Sequence, residues 1–70
     1  MRVNIEAERA RLQMTKSDIS KELGVTYKTY ASYINETTPI PSNVLEKLRL
    51  ITGKSIDYLL GLQSDSSAIQ

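Results

Sequence analysis

The stretch Thr15-Lys16-Ser17-Asp18-Ile19-Ser20-Lys21-Glu22-Leu23-Gly24-Val25-Thr26-Tyr27-Lys28-Thr29-Tyr30-Ala31-Ser32-Tyr33-Ile34-Asn35 reads as two short helices joined by a tight corner. Thr15 is placed to cap the first helix with its hydroxyl. Asp18, three residues on, suits both the return bond of a capping box and the positive end of the helix dipole. Ile19 and Leu23, spaced i and i+4, share one face. Gly24 follows where a helix end must enter the left-handed region, a conformation that costs glycine least. Val25 then fills the corner and Thr26 caps a second helix, whose inner face is Tyr30 with Tyr33 or Ile34 at helical spacing. Tyr27, Lys28, Thr29 and Ser32 are left facing outward.

Working outward from that segment, a helix is expected from about Val3 to Leu12, with Val3, Ala7, Ala10 and then Met14 as its inward stripe. On the other side of the corner, Pro39-Ile40-Pro41 leads to Ser42 as an N-cap. A fourth helix then presents Val44, Leu45, Leu48 and Ile51 inward and stops at Gly53. Ser55 caps a short fifth helix with Asp57 in its first turn, and Gly61 closes it, leaving Ile56, Leu59 and Leu60 to pack or to pair. Beyond Gln63 the periodicity ends. The expected organisation is a helical domain over residues 1–62 and a frayed tail over 63–70. No strand pattern or internal repeat is present, so the fold class is all-α, a compact bundle of five helices.

These residues carry a resemblance. A small residue (Ser20), three spacers, Gly24, an aliphatic residue (Val25) and a Thr cap before a short polar helix resemble the helix-turn-helix of phage Cro-like repressors and the wider xenobiotic-response-element family. Tyr30 and Tyr33 fall at further structural positions of that family. Pro39-Ile40-Pro41-Ser42 with Val44, Leu45 and Leu48, and Ser55-Ile56-Asp57-Tyr58-Leu59-Leu60-Gly61, look like its fourth and fifth helices. The likeness covers roughly residues 3 to 62 and implies a lambda-repressor-like DNA-binding domain, with helices two and three as the helix-turn-helix.

By that resemblance Tyr27, Lys28 and Ser32 match base-reading positions, and Lys16, Thr26 and Asn35 match phosphate-facing ones. An ammonium such as that of Lys28 can donate to guanine O6 and N7, a contact worth about 1–3 kcal/mol of discrimination. Tyr27 has two uses open to it, its ring on a thymine methyl or its hydroxyl on a phosphate. Lys16 stands at the start of the second helix, where the family usually has glutamine. Its charge and the free amides there suit one phosphate.

The chain departs from the family pattern in three places. The family commonly has a carboxylate where Ile34 stands, paired with an arginine at the position of Arg9. Arg9 is thereby released to a phosphate, to Glu22 or to Glu8. The loop after the reading helix, usually Asn-Gly-Lys-Arg, is here Asn35-Glu36-Thr37-Thr38, which removes two cations and adds an acid. The expected consequence is a shallower dependence of binding on salt than in basic relatives, since each neutralised phosphate contributes about 0.9 to the log–log slope. Ser20 replaces an alanine at the helix crossing, a change small enough to fit. Ile5 and Leu12 lie opposite the Val3, Ala7, Ala10 stripe, which sets isolated surface apolar residues against a docking patch for a protein partner.

Composition narrows the remaining choices. The 70 residues allow one domain near the lower limit for a core without staples. The chain has no cysteine and no histidine, which rules out disulfides, zinc fingers and histidine catalysis. No apolar run approaches a membrane span, and Met1 to Leu12 lacks the apolar centre of a signal peptide, so a cytoplasmic location is expected. Net charge is +1, with six cations and four acids in residues 1–35 against three and four in residues 36–70.

The leading expectation is a sequence-specific regulator of double-stranded DNA, a phage or mobile-element type repressor. It would bind a palindromic operator as a homodimer paired through Leu59, Leu60 and Leu62, whose other reading is core closure. The alternative is a protein-interaction module, an antitoxin or anti-regulator. With no nucleophile-base pair, glycine-rich phosphate loop or ligand cluster, neither an enzyme nor a cofactor is expected.

Overall fold

A computed structural model describes residues 1–62; residues 63–70, where the tail is expected, lie outside the described residues. The described residues form α1 (Val3–Arg11), α2 (Lys16–Leu23), α3 (Tyr27–Ile34), α4 (Ser42–Thr52) and α5 (Ile56–Leu59). There is no strand among them. α2 packs on α3 and α4, α1 on α3 and α5, and α4 on α5. The core that they enclose consists of Ile5, Ile19, Leu23, Tyr30, Tyr33, Ile34, Val44, Leu48 and Leu59, with Met14, Val25, Ile40, Ile51 and Tyr58 packed against it.

Helix starts follow local chemistry. Thr15 Oγ1 accepts the Asp18 amide at 3.0 Å while the Thr15 amide donates to the Asp18 carboxylate at 3.0 Å, a complete capping box. Ser55 accepts the Tyr58 amide at 3.1 Å. α4 differs from expectation, because its N-cap is Pro41 and Ser42 is already the first helical residue, with no side-chain cap. A proline fits that place because its extended ψ leads into the helix and it has no amide to leave unpaired.

Helix ends share one device in α1, α2, α3 and α5. A residue in the left-handed region sends its amide back to the carbonyl three residues earlier, and the next amide reaches the carbonyl five residues before it. In α2 that residue is Gly24, at φ 74°. In α1 it is Gln13 at φ 60° and in α3 it is Glu36 at φ 64°, both with a Cβ that crowds the backbone there. Gln13 is exposed, so Gln13→Gly should relieve this strain at no cost in packing. Set against the larger conformational freedom of an unfolded glycine, the expected net gain is about 0.5–1 kcal/mol. A thermal melt should move up by about 3–6 °C. An unchanged or lower midpoint would count against this account of the α1 end.

α1 and its N-cap Arg2 also terminate three other helices. The Arg2 guanidinium donates to the Tyr33 carbonyl at the end of α3. Asn4 Nδ2 donates to the Tyr58 carbonyl of α5 at 2.7 Å, and Arg11 Nη2 to the Thr52 carbonyl of α4 at 3.2 Å. Carbonyls that a helix cannot satisfy internally are thus met from one neighbour.

The face α1 turns inward corrects the sequence reading. Ile5 is fully buried and Glu8 is 5% exposed, whereas Val3 is 59% exposed and Ala7 and Ala10 lie at the surface. Leu12 is half-buried beside them. Ile5, Glu8 and Leu12 form an i, i+3, i+7 stripe, and burying a whole isoleucine releases far more apolar surface than burying two alanines. A buried glutamate is tolerated because it has partners: Glu8 accepts from Arg11 Nε at 2.7 Å and from the Tyr58 hydroxyl at 3.3 Å. The Arg11 hydrogen bond holds its carboxyl below the ordinary range against the opposing effect of burial. The docking patch on Ile5 and Leu12 is therefore withdrawn. Met14 does reach the core, but from beyond the Gln13 turn rather than along the α1 stripe.

Leu59 is likewise fully buried, which removes it from the expected dimer contact. Leu60 is half-buried and Leu62 is 70% exposed. A helix of four residues turns only one side chain squarely into the core.

Candidate nucleic-acid interface

The interface is built on the α2–α3 corner. Ile19 and Leu23 bury one face of α2, and Tyr30, Tyr33 and Ile34 bury one face of α3. Ser20 fits the crossing at 3% exposed because its hydroxyl turns back to the Lys16 carbonyl at 2.7 Å. With Gly24 turning the chain between them, the start of α3 stands at the surface.

Of the three expected base-reading residues, Tyr27 is 53% exposed, Lys28 is exposed and Ser32 is half-buried. They lie on one side of a regular helix, with none of them in the core. Thr26 caps that helix by accepting the Thr29 amide at 3.1 Å, and its hydroxyl donates to Thr29 Oγ1 at 2.9 Å. Its side chain is thus engaged within the cap, and the first amides of α3 carry the positive end of the dipole.

The expected phosphate-facing residues come from two helices. Lys16 is the first residue of α2 and Asn35 follows the end of α3, both exposed. The fold brings them to the rim of one cleft of about 100 Å³, which Glu6 and Tyr30 also line. Lys16 and Asn35 are nineteen positions apart in the chain, so their meeting is a product of packing.

Arg9 has a partner that the sequence reading did not weigh. Its guanidinium grips Glu6 through two bonds, Nη2 to Oε1 at 3.0 Å and Nε to Oε2 at 3.2 Å, and also donates to the Met14 carbonyl at 2.6 Å. The Tyr30 hydroxyl donates to the same carboxylate at 2.5 Å. Burial works to raise the Glu6 pKa, but the Arg9 and Tyr30 hydrogen bonds and the nearby Arg9 and Lys16 charges together hold it below the ordinary value. Burial first, and then this carboxylate, push the Tyr30 hydroxyl well above its usual range, so it remains a donor. With a side chain 20% exposed and its donors engaged, Arg9 is set apart from the phosphate-facing group. The i, i+3 spacing of Glu6 and Arg9 was the available signal.

A family model described as Helix-turn-helix matches residues 5–59, most of the chain and both halves of the corner. The chain belongs to the Cro-like helix-turn-helix family. No curated protein and no solved structure matches it. As a member of that family it is a DNA-binding regulator, in a family of DNA-binding regulatory domains and not of enzymes. The described residues of this helix-turn-helix domain include no group of three side chains able to hold a metal ion and no helix long and apolar enough to cross a membrane. Where the resemblance implies an acid on the third helix facing an arginine on the first, this domain has Ile34 buried in the core and draws the acid, Glu6, from the arginine's own helix.

Proposed function

We propose that this helix-turn-helix domain is a sequence-specific repressor, of phage or mobile-element type, that binds a palindromic operator as a homodimer and blocks a promoter by occupying it. The observation that carries the reading is the exposed edge of α3, where Tyr27 and Lys28 project from a capped helix whose other face is core. A helix of this kind fits the major groove with residues near its start against base edges. In this reading Tyr27, Lys28 and Ser32 meet the bases. Lys16 and Asn35, at the mouth of their common cleft, meet phosphates together with the Thr26 end of α3. One short helix reads few base pairs, so two-fold pairing supplies the remaining specificity, with Leu60 and Leu62 as the contact at the end of α5.

Selection of bound sequences from random duplex DNA tests this, because it returns the site, its symmetry and its spacing together. A symmetric site with half-sites about one helical turn apart is expected. Lys28→Ala should relax preference at one position per half-site, by about 1–3 kcal/mol. Lys16→Ala should weaken every duplex alike and lower the log–log salt slope by about 0.9 per half-site. Equal effects from the two substitutions would refute the division of roles. No preference over random duplex at moderate salt would favour the protein-interaction reading.

A further inference from the structure

We infer that Arg2 is a positioning residue for the reading helix: from the N-cap of α1 it clamps the C-terminal end of α3 and so sets the angle at which α3 meets DNA. The inference rests on the proposed role of α3. Three observations carry it. The Arg2 amide donates to the Ile34 carbonyl at 2.9 Å, and the Arg2 guanidinium donates to the Tyr33 carbonyl, which also receives the Glu36 amide, so one residue reaches the last two carbonyls of α3. α3 has no basic residue in its own last turn, and Arg2 brings the missing cation to the negative end of its dipole from another helix. The turn that ends α3 runs through Glu36 at φ 64°, and the residue before Arg2 holds it too, the Met1 ammonium donating to the Glu36 carboxylate at 2.7 Å.

α3 is an eight-residue rod, about 12 Å long. Its first end is held by the Gly24 corner; at the second, Tyr33 and Ile34 are seated in the core, the Met1 ammonium pairs with the Glu36 carboxylate at 2.7 Å, and Arg2 bonds the terminal carbonyls. With the guanidinium removed and only the backbone bond to Ile34 left from Arg2, a pivot of about 5° moves that end by about 1 Å, a displacement large enough to spoil directional contacts. The shift is greatest at Ser32 and Asn35. Arg2 therefore acts through Tyr33 and Ile34, without touching DNA.

Three readings on Arg2→Ala test this, with Thr52→Ala as a matched control. Thr52 is buried at the far end of α4, where its hydroxyl bonds the Leu48 carbonyl at 2.8 Å and the Lys54 amide at 3.1 Å, so its loss weakens the fold away from α3. Both variants are compared with the parent well below their melting midpoints. In the absence of DNA, amide exchange over residues 33–37 should quicken at least about fivefold in Arg2→Ala and stay at the parental rate in Thr52→Ala. The preference for selected over random duplex should fall about tenfold in Arg2→Ala, on the scale of one lost base contact, and not in Thr52→Ala. The salt slope should be unchanged, and Arg2→Lys should recover part of the preference, since an ammonium can still reach a carbonyl.

A slope reduced by about 0.9 would make Arg2 a phosphate contact and overturn the inference. Unchanged exchange at residues 33–37, or faster exchange with undiminished preference, would overturn it as well. A parent protein with no preference at all would instead refute the reading role of α3, and the inference with it.

Discussion

Ile5→Asp should leave the chain unfolded. Ile5 is fully buried in the same core as Ile19, Tyr30 and Leu59. Truncating such a residue costs about 2–5 kcal/mol through lost burial and the cavity left behind. The introduced carboxylate must in addition stay ionised without a partner or take up a proton, adding several kcal/mol. A domain of this size has about 4–10 kcal/mol of stability in total. The helical circular dichroism signal should therefore be largely lost at room temperature. Val3→Asp, two residues away on the same helix and 59% exposed, should change the stability by no more than about 0.5 kcal/mol. The pair separates the two faces of α1 without reference to DNA. A folded Ile5→Asp variant with a near-parental melt would mean that the inward face of α1 is misassigned and would return Ile5 to the surface.

Glu6→Gln should cost about 2–3 kcal/mol and alter the response to acid. The Glu6 carboxylate receives two bonds from Arg9 and one from Tyr30, with 16% of the side chain exposed. An amide offers a single acceptor oxygen and no charge. The Arg9 guanidinium would keep the Met14 carbonyl but lose its counter-charge in a place where water reaches it poorly. The pH dependence follows from the direction of the pKa shift. A carboxyl whose folded pKa lies below its unfolded one binds fewer protons in the folded state, so its stabilisation is complete above the unfolded value of about 4.3 and disappears as pH falls through the folded value. Glu6 and Glu8 are both lowered in this way, so the parent should begin to weaken below about pH 4.3. Glu6→Gln should be less stable near neutrality and lose less stability between there and about pH 3, so its melting curve against pH should be flatter. Parallel acid limbs in parent and variant would show that Glu6 is not a titrating partner of this network.

The Glu6 network also bears on the interface. Glu6 lies in the cleft that Lys16 and Asn35 share, where a bare carboxylate would repel a phosphate. Held by Arg9 and Tyr30, its charge is largely compensated. The cation that the family resemblance releases from its usual partner is thus used inside the fold, on the carboxylate of that cleft.

Local chemistry made much of this molecule readable in advance. The Thr15–Asp18 capping box, the Thr26 and Ser55 caps, and the corner at Gly24 involve groups within a few residues of each other, and each forms as its residue types suggest. The exposed edge of α3 follows from the same information, because the spacing of Tyr30, Tyr33 and Ile34 leaves Tyr27 and Lys28 one direction in which to point. The start of α4 departs from its local signal for a different reason. A serine before an apolar run looks like a cap, but the preceding proline already supplies the extended residue that a helix start requires.

Helix ends and caps are written in neighbouring residues, because their hydrogen bonds close over three to five positions of chain. The buried side of α1 is not written there. Two glutamates and two arginines within nine residues look like a solvated face; their i, i+3 pairs are local, but their place at the core comes with Tyr58 from α5 and Tyr30 from α3, which add the bonds from outside the helix. The seat that Lys16 shares with Asn35, and the grip of Arg2 on the end of α3, arise in the same way. Partners separated by tens of residues meet only after the chain has packed, and whether a charge costs or stabilises depends on whether that partner comes.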